Sequence, residues 1–212
     1  MKMTNGWNQF IYCLWAPIYD ATVGHFFLPG RKRAIEALNL QPGERVLLVG
    51  VGTGADLPLL PQGVQAVGVD LSADMLAKAR QKLPLPGREV TLLQGDAQQL
   101  WAGAAAFDAV IFNLILSVIP DGAACLRENL RALKPGGRAV VFDKFLPDAG
   151  RLTAGRRLLN LGSTLFGTDI TRRFGDLARG VEMRVVHDEP SLLHGTYRVI
   201  LLASKGSNPM DS

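Results

Sequence analysis

A glycine-rich turn and a carboxylate have the spacing that a nucleoside-binding site requires. Gly50, Gly52 and Gly54 follow the apolar run at residues 45–49, and Asp70 ends the next apolar run, 20 residues after Gly50. Glycine lets a ligand approach the backbone because it has no Cβ, and the helix after such a turn presents unpaired N–H groups. A carboxylate at the end of the second strand can accept hydrogen bonds from both ribose hydroxyls. The spacing therefore predicts a nucleoside cofactor at the edge of a parallel sheet.

Two further polar residues follow the third and fourth apolar runs. Asp96 comes after residues 89–93, where its carboxylate can accept a hydrogen bond from an adenine amino group, and Asn113 comes after residues 107–112. Ligands of open α/β folds bind at the carboxyl ends of the strands. We therefore expect Asp96 and Asn113 to lie beside the glycine-rich turn, at one edge of the sheet.

The segments that must position these groups alternate between strand-like and helix-like patterns. Continuous apolar runs of strand length are typical of parallel strands that are covered on both faces. Between them, residues 72–80 begin with the N-cap candidate Ser72 and end in basic residues, and residues 121–133 are amphipathic and end at a Pro-Gly-Gly turn. This alternation predicts a doubly wound α/β sheet with right-handed crossovers. The five predicted strands are residues 45–49, 64–69, 89–93, 107–112 and 138–142.

Segments of a different character flank this core. Residues 7–19 and 31–40 are helix-like, and residues 151–180 are helical and basic. Two strand-like runs, at residues 181–187 and 197–204, predict an antiparallel hairpin. The 212 residues suit one domain with a substantial core. We predict a single domain over residues 1–206, made of an N-terminal helical lid (1–40), a cofactor-binding core (45–145), a helical cap (147–180) and closing strands (181–204), followed by a polar tail at residues 207–212.

Positive charge is concentrated in the segment that follows the core. Residues 151–184 hold seven arginines against three carboxylates, an excess equal to the net charge of +4 of the whole chain. Such a segment either contacts an anionic substrate or membrane surface, or is a solvated helical face. Cys13 and Cys125 fit neither a disulfide framework nor a metal site, so we predict no metal and a cytoplasmic location. No apolar stretch is long enough to span a bilayer, so the predicted membrane association is peripheral, at the inner face.

Residues 46–54, 67–70, 95–97, 107–120 and 133–141 together carry the motifs of a known family. They resemble the class I S-adenosylmethionine-dependent methyltransferases. The resemblance implies a Rossmann-like α/β fold: a doubly wound, mostly parallel seven-stranded sheet with an antiparallel C-terminal hairpin and a helical lid and cap. It also implies S-adenosyl-L-methionine as the cofactor, with Asp70 on the ribose hydroxyls, Asp96 and Ala97 at the adenine, and Asn113 near the methionyl end.

The candidate site residues follow from the same resemblance, with one departure from the family pattern. Leu48 stands where the family usually has an acidic residue that helps to hold the amino end of the cofactor. We predict catalytic roles for Tyr19, His25 and Asn113, and His25 and His194 are the acid–base candidates because histidine titrates near neutral pH. The predicted cofactor-binding residues are Tyr19, Val49, Gly50, Gly52, Thr53, Gly54, Asp70, Leu71, Met75, Asp96, Ala97 and Asn113.

A narrower resemblance lies on the N-terminal side of the core. Residues 16–20, 29–35 and 40–46 are similar to bacterial phosphatidylethanolamine N-methyltransferases and to ubiquinone/menaquinone C-methyltransferases. This similarity implies that Tyr19 belongs to a lid over the cofactor and that the basic segment caps the substrate. The implied reaction is methyl transfer by in-line displacement to an apolar or lipid-like small molecule, such as a phospholipid head-group amine. A quinone precursor or another small metabolite, methylated at carbon or oxygen, is the alternative acceptor.

Three other functions fit parts of the pattern. A cofactor-binding protein without catalysis fits the missing acid at Leu48. A nicotinamide-dependent oxidoreductase would need glycine in place of Leu57 to complete the dinucleotide motif. A nucleic-acid methyltransferase fits the positive charge, but Asn113 is followed by Leu-Ile-Leu rather than by the usual Pro-Pro-aromatic sequence, and the chain has no basic stripe with interleaved aromatics. We therefore expect no nucleic-acid partner, and the sequence carries no signal of an oligomeric state.

Overall fold

The structure is a computed structural model that describes residues 24–99, 103–146, 171–193 and 195–204. The predicted helix at residues 7–19, residues 147–170 of the predicted cap and the tail lie outside the described residues, as do Tyr19 and His194. The predicted strands all fall within the described ranges, so the sheet can be compared with the prediction in full.

Seven strands of the described chain form a single sheet. They are β1 (Arg45–Val49), β2 (Gln65–Asp70), β3 (Glu89–Gln94), β4 (Phe107–Asn113), β5 (Leu133–Lys144), β6 (Met183–Pro190) and β7 (Tyr197–Ser204). Their order is β3-β2-β1-β4-β5-β7-β6. Strands β1 to β5 pair with one another in parallel, whereas β7 pairs antiparallel with both β5 and β6. The predicted doubly wound α/β sheet with a closing antiparallel hairpin is therefore confirmed.

The fifth strand is longer than its apolar run predicts. The sequence predicts a strand at residues 138–142, whereas β5 begins at Leu133. Leu133 pairs with Phe107 of β4, and the register then shifts between Phe107 and Ala109. The preceding helix ends at Arg131, so the Pro-Gly-Gly sequence predicted to end it lies within β5 instead. The strand tolerates it because an irregularity of this kind accommodates extra residues within a pair of strands.

Helices connect the strands and cover both faces of the sheet. They are α1 (Gly24–Ala37) before β1, α2 (Ala73–Arg80) after β2, α3 (Gly122–Arg131) after β4 and the short α4 (Phe174–Leu177) before β6. The side-chain oxygen of Ser72 accepts a 3.3 Å hydrogen bond from the backbone N–H of Met75, which confirms Ser72 as the N-cap of α2. The helix predicted at residues 31–40 begins earlier, at Gly24. Within the described ranges, no helix has both the length and the apolar character needed to cross a bilayer.

Two apolar clusters lie on opposite faces of the sheet. Side chains alternate between the faces along a strand, so neighbouring residues of β1 belong to different clusters. Leu47 and Val49 pack in the cluster that contains α3, whereas Val46 and Leu48 pack in the cluster that contains α1. Both faces are buried, which explains why the parallel strands are continuous apolar runs rather than alternating ones.

Helix α1 approaches the sheet closely at Gly30. A Cβ at this position would lie 2.2 Å from the ring of Phe142, a fully buried residue of β5. The Phe142 ring is itself held by Phe27 and Tyr197, whose ring centroids lie 6.2 and 5.9 Å from its own. The missing side chain at Gly30 therefore sets the depth of α1 against the sheet, and with it the position of Arg31.

Replacing Gly30 by alanine is expected to lower the free energy of unfolding by about 1–3 kcal/mol, the usual cost of overpacking a core. The added methyl group would meet a ring that has little room to move, because interiors are close-packed. Urea denaturation followed by circular dichroism measures the change. Gly103→Ala is the matched control, since a Cβ there meets no atom within 4 Å. Equal stability of the two variants would contradict the close approach of α1.

Candidate functional site

The topology gathers the predicted site residues at one edge of the sheet. Strands β1 to β4 are parallel, so their carboxyl ends, among them Val49, Asp70 and Asn113, meet at the same edge. The strand order reverses between β1 and β4, since β2 and β3 extend to one side and β5 to the other. Ligands of open α/β sheets bind in the crevice at such a switch point.

A cavity that is open to solvent lies at this switch point, and its empty space, counted together with the solvent at its mouth, is about 1040 Å³. Helix α1 contributes Gly24 and Arg31 to the lining, and the loop after β4 forms an apolar wall. The predicted site residues that line the cavity are Gly50, Gly52, Thr53, Asp70, Leu71, Met75, Asp96, Ala97 and Asn113.

Three predicted site residues do not line the cavity. Val49 is buried in the cluster on the α3 side of the sheet. A Cβ on Gly54 would lie 2.9 Å from Leu57 and 3.1 Å from Ala79, so this glycine permits close packing of α2 rather than approach of a ligand. His25 is exposed in the first turn of α1. The structure thus lends no support to the roles predicted for Val49, Gly54 and His25.

The glycine-rich turn needs glycine for its backbone and for the space around it. Gly50 and Gly52 have φ values of +66° and +55°, in the left-handed region that disfavours side chains. A Cβ on Gly50 would also lie 2.5 Å from Cδ1 of Ile115 in the loop after β4. The backbone N–H of Gly52 donates a 2.8 Å hydrogen bond to Oδ2 of Asp70. The turn is therefore held between the end of β2 and the apolar wall of the cavity.

Asp70 is held by the backbone on both sides. Its Oδ2 accepts from Gly52, and its Oδ1 accepts a 2.9 Å hydrogen bond from the backbone N–H of Ser72. Burial raises the pKa of Asp70 above its usual value, although these backbone donors favour the ionised form. Each carboxylate oxygen has a second lone pair, so Asp70 can still accept hydrogen bonds from the hydroxyls of a ligand in the cavity.

The end of β3 is positioned by a buried residue of α3. Nδ2 of Asn129 donates a 2.8 Å hydrogen bond to the carbonyl oxygen of Ala97, and Asn129 is fully buried. The Oδ1 of Asp96 accepts a 2.9 Å hydrogen bond from the backbone N–H of Gln98. These contacts fix Asp96 and Ala97 at one end of the cavity, where they present a carboxylate and a small side chain.

A buried polar triad, formed by Arg31, Asp56 and Asn113, links α1 to the turn and to β4. Arg31 Nη1 donates to Asp56 Oδ2 at 2.8 Å, and Asn113 Nδ2 donates to Asp56 Oδ1 at 3.0 Å. All three residues are buried, and Arg31 and Asn113 line the cavity. Within the described part of the chain, the buried Oδ1 of Asn113 has no hydrogen-bond partner. A buried ion pair contributes little to stability on its own, so the triad beside the cavity suggests a ligand that carries charges.

The sequence predictions omit Arg31, Asp56 and Asn129. Two of these residues have a signal in the sequence. Asp56 lies two residues after Gly54, the last glycine of the glycine-rich turn, and Asn129 lies one helical turn after the buried Cys125 of α3. Arg31 has no such signal, because charged residues of a surface helix are usually solvated. Leu48 is buried in the cluster on the α1 side and does not line the cavity.

Comparisons with known proteins agree with this geometry. Residues 47–141 match a family described as methyltransferase domain. Over 150 residues the chain is 38% identical to a phosphatidylethanolamine N-methyltransferase of Cereibacter sphaeroides, a match that covers 70% of this chain and 73% of that protein. It is 36% identical over 118 residues to a demethylmenaquinone methyltransferase of Beutenbergia cavernae, covering 55% of this chain and 48% of that protein. The chain thus spans about half the length of this second relative.

A solved structure shares the fold. A solved S-adenosylmethionine-dependent methyltransferase from Thermotoga maritima superposes with a TM-score of 0.66 at 24% identity, over 92% of this chain and 99% of that chain. The sequence similarity, the shared fold and the cavity at the switch point of the sheet agree with one another. This chain belongs to the class I S-adenosylmethionine-dependent methyltransferases, and S-adenosyl-L-methionine is its cofactor.

Proposed function

We propose that this methyltransferase acts on an apolar, lipid-like acceptor. In this proposal, the methyl group is transferred to the amine nitrogen of a phospholipid head group. The observation that carries the proposal is the similarity to a protein named phosphatidylethanolamine N-methyltransferase, which extends over 73% of that protein. The cavity supports it, because the wall formed by the loop after β4 is apolar. A quinone precursor is the second candidate, since several relatives are named demethylmenaquinone methyltransferase.

The nucleoside half of S-adenosylmethionine fits the ends of β2 and β3. In the proposed arrangement, Asp70 accepts hydrogen bonds from the two ribose hydroxyls, and Asp96 accepts one from the adenine amino group. Ala97 and Leu71 flank the adenine with apolar surface. The support is that all four residues line the cavity and that Asp70 and Asp96 are already oriented by backbone donors.

The amino-acid half fits the buried polar triad. The methionyl group carries an ammonium and a carboxylate, and the triad offers the guanidinium of Arg31 together with the carboxylate of Asp56 and the unpartnered Oδ1 of Asn113. In this arrangement, Arg31 attracts the methionyl carboxylate and Oδ1 of Asn113 accepts from the ammonium, and both residues line the cavity. Asp56 lies behind the lining, where it orients these two groups and supplies the negative charge that the family usually has at the position of Leu48. A chain with leucine at that position can still hold the cofactor.

The residues around the acceptor act mainly by orientation. S-adenosylmethionine supplies a methyl group bonded to a sulfonium, which passes to a nucleophile by in-line displacement. Alignment of two reactants can lower a barrier by roughly 7–11 kcal/mol. The apolar wall excludes water and disfavours the charged form of an amine, which keeps the nitrogen lone pair available. Of the predicted catalytic residues, Asn113 lines the cavity, His25 does not, and Tyr19 lies outside the described residues.

We further propose that the basic segment at residues 151–184 contacts an anionic membrane surface. An arginine near such a surface contributes about 1 kcal/mol of attraction. Within the described part of the segment, Arg172 is used internally, since it donates to backbone carbonyls, and Arg179 forms an exposed pair with Asp176. The proposed lipid contact therefore does not include Arg172, whose guanidinium is turned inward.

Asp70→Ala is expected to weaken binding of S-adenosylhomocysteine and of adenosine alike, by about 1–3 kcal/mol, because both ligands carry the ribose. Titration calorimetry gives both affinities. Asp74→Ala is the matched control, since Asp74 is exposed in the first turn of α2 and does not line the cavity. Unchanged affinities in the Asp70 variant would remove its ribose role.

Asp56→Asn is expected to weaken binding of S-adenosylhomocysteine by about 1.5–3 kcal/mol, the range for hydrogen bonds to charged groups. Adenosine, which lacks the amino-acid end, should bind this variant as it binds the parent. The comparison of the two ligands by calorimetry separates a local effect from misfolding. An equal loss for both ligands would place Asp56 away from the methionyl group.

Methyl transfer to phosphatidylethanolamine in mixed micelles is expected, measured with radiolabelled S-adenosylmethionine, and the Asp70→Ala variant should transfer more slowly. Transfer to a demethylated menaquinone analogue instead would replace the phospholipid by a quinone as acceptor. Tight binding of S-adenosylhomocysteine without transfer to either would favour a binding protein without catalysis.

Adding anionic lipid to the micelles should raise the rate of methyl transfer at low salt, because the basic segment is proposed to contact an anionic surface. Equal rates with and without anionic lipid would argue against that membrane contact.

A further inference from the structure

The apolar wall of the cavity is an irregular loop. It runs from Leu114 to Pro120, between β4 and α3, and Ile115 within it packs against Gly50 of the glycine-rich turn. Within it, the backbone N–H groups of Val118 and Ile119 donate to the carbonyl of Ile115, and the N–H of Leu114 donates to the carbonyl of Phe142 in β5. An irregular loop leaves several backbone groups without partners, so its position depends on groups from other elements.

Arg172 binds two of these backbone groups. Its Nη1 donates to the carbonyl oxygen of Leu116 at 2.5 Å, and its Nη2 donates to the carbonyl oxygen of Pro120 at 3.0 Å. One planar guanidinium therefore spans the second half of the loop. From the other side, Oδ2 of the buried Asp143 accepts a 2.9 Å hydrogen bond from the backbone N–H of Ser117.

The backbone of Arg172 is itself fixed to the sheet. Its carbonyl oxygen accepts a 2.9 Å hydrogen bond from the N–H of Leu146, just after β5, and Leu146 forms a parallel bridge with Arg173. The rings of Phe145 and Phe174 then pack edge to face, with centroids 5.5 Å apart. These contacts fix the backbone that carries the guanidinium of Arg172.

Gly122 lies against the hydrogen bond between Arg172 and Leu116. A Cβ on this first residue of α3 would lie 2.7 Å from Nη1 of Arg172 and 2.9 Å from the carbonyl oxygen of Leu116. Its φ is not in the left-handed region, so the backbone alone does not require glycine. The space that a side chain at Gly122 would need is occupied by Nη1 of Arg172 and by the carbonyl oxygen of Leu116, the two atoms of that hydrogen bond.

We propose that Arg172 is a positioning residue of the active site, which holds the loop at residues 114–120 in the conformation that closes the cofactor cavity against the glycine-rich turn. In the sequence, Arg172 belongs to a basic segment expected either to contact an anionic substrate or membrane or to form a solvated helical face, whereas its contacts turn it inward. This role does not depend on the identity of the methyl acceptor, since the loop forms part of the cavity in which the cofactor binds.

Calorimetric binding of S-adenosylhomocysteine to the full chain tests the proposal. Arg172→Met should raise the Kd roughly tenfold, because a small displacement of a positioning element costs about that much or more. Arg172→Lys, which keeps the charge, should restore part of the affinity. Arg179→Met is the matched control, since it removes the same charge from an exposed arginine of the same segment and should leave the Kd within twofold of the parent.

Gly122→Ala provides the test from the other side of the contact. The added methyl group should displace the guanidinium and raise the Kd as Arg172→Met does, and the double variant should be no weaker than the more affected single variant. Thermal unfolding of each variant is measured in parallel, and the Kd is taken at a temperature where all are folded. A purely structural contribution of Arg172 would lower the Tm and leave that Kd unchanged.

Two results would overturn the proposal. One is a parent-like Kd in folded Arg172→Met, or, if that variant does not fold, in both Arg172→Lys and Gly122→Ala. The other is an equal rise of the Kd in Arg172→Met and Arg179→Met, which would assign the effect to net charge. Failure of the phospholipid assay would contradict the proposed acceptor and leave this measurement unaffected.

Discussion

The parallel pairing of β1 with β4 is the constraint on which the site depends. The register joins Val46 to Ala109 and Leu48 to Ile111, so the two strands end side by side. Their connections leave toward opposite sides of the sheet, and a crevice opens between them. β2 and β3 are then added to β1 in parallel, which brings Asp70 and the residues after β3 to the same edge. Helices occupy both faces, so the edge is where a ligand can reach the backbone.

Polar side chains around the cavity share one physical task. The chain turns irregularly as it leaves each strand, and buried backbone groups in these turns need partners that the sheet does not supply. Asp70 accepts from Gly52 and Ser72, Asn129 donates to Ala97, and Arg172 donates to the loop after β4. Each of these side chains satisfies the backbone and holds one wall of the cavity. The positions of the cavity walls are therefore fixed by residues behind the lining, such as Asn129 and Arg172, as well as by lining residues such as Asp70.

The residues that form the site extend beyond the residues that match the methyltransferase family. Residues 47–141 match the methyltransferase domain, and they include the strand ends at which we place the nucleoside. Arg31, which lines the cavity, and Arg172, which holds its wall, both lie outside that range. The site is therefore assembled from the matched core together with elements on both sides of it.

Sequence alone determined the elements and their order. The apolar runs predicted the five parallel strands, because parallel strands covered on both faces leave a continuous signal, and the carboxyl ends of such strands meet at one edge. Two strand-like runs also predicted the closing antiparallel hairpin. The glycine spacing and Asp70 followed from the same pattern, since a turn with positive φ next to a buried strand requires glycine. Local sequence also predicted Ser72 as a helix cap, because that contact spans three residues.

The tertiary structure decided everything that depends on contacts between distant segments. Gly54 fits the motif in sequence, yet its surroundings make it a packing residue for α2. Arg31 and Asp56 are 25 residues apart and pair only when α1 packs against the sheet at Gly30. Arg172 belongs to a basic segment in the sequence but donates to carbonyls more than 50 residues away. A sequence pattern reports the period and type of neighbouring residues, whereas the direction of a long charged side chain is set by which buried groups the folded chain brings within its reach.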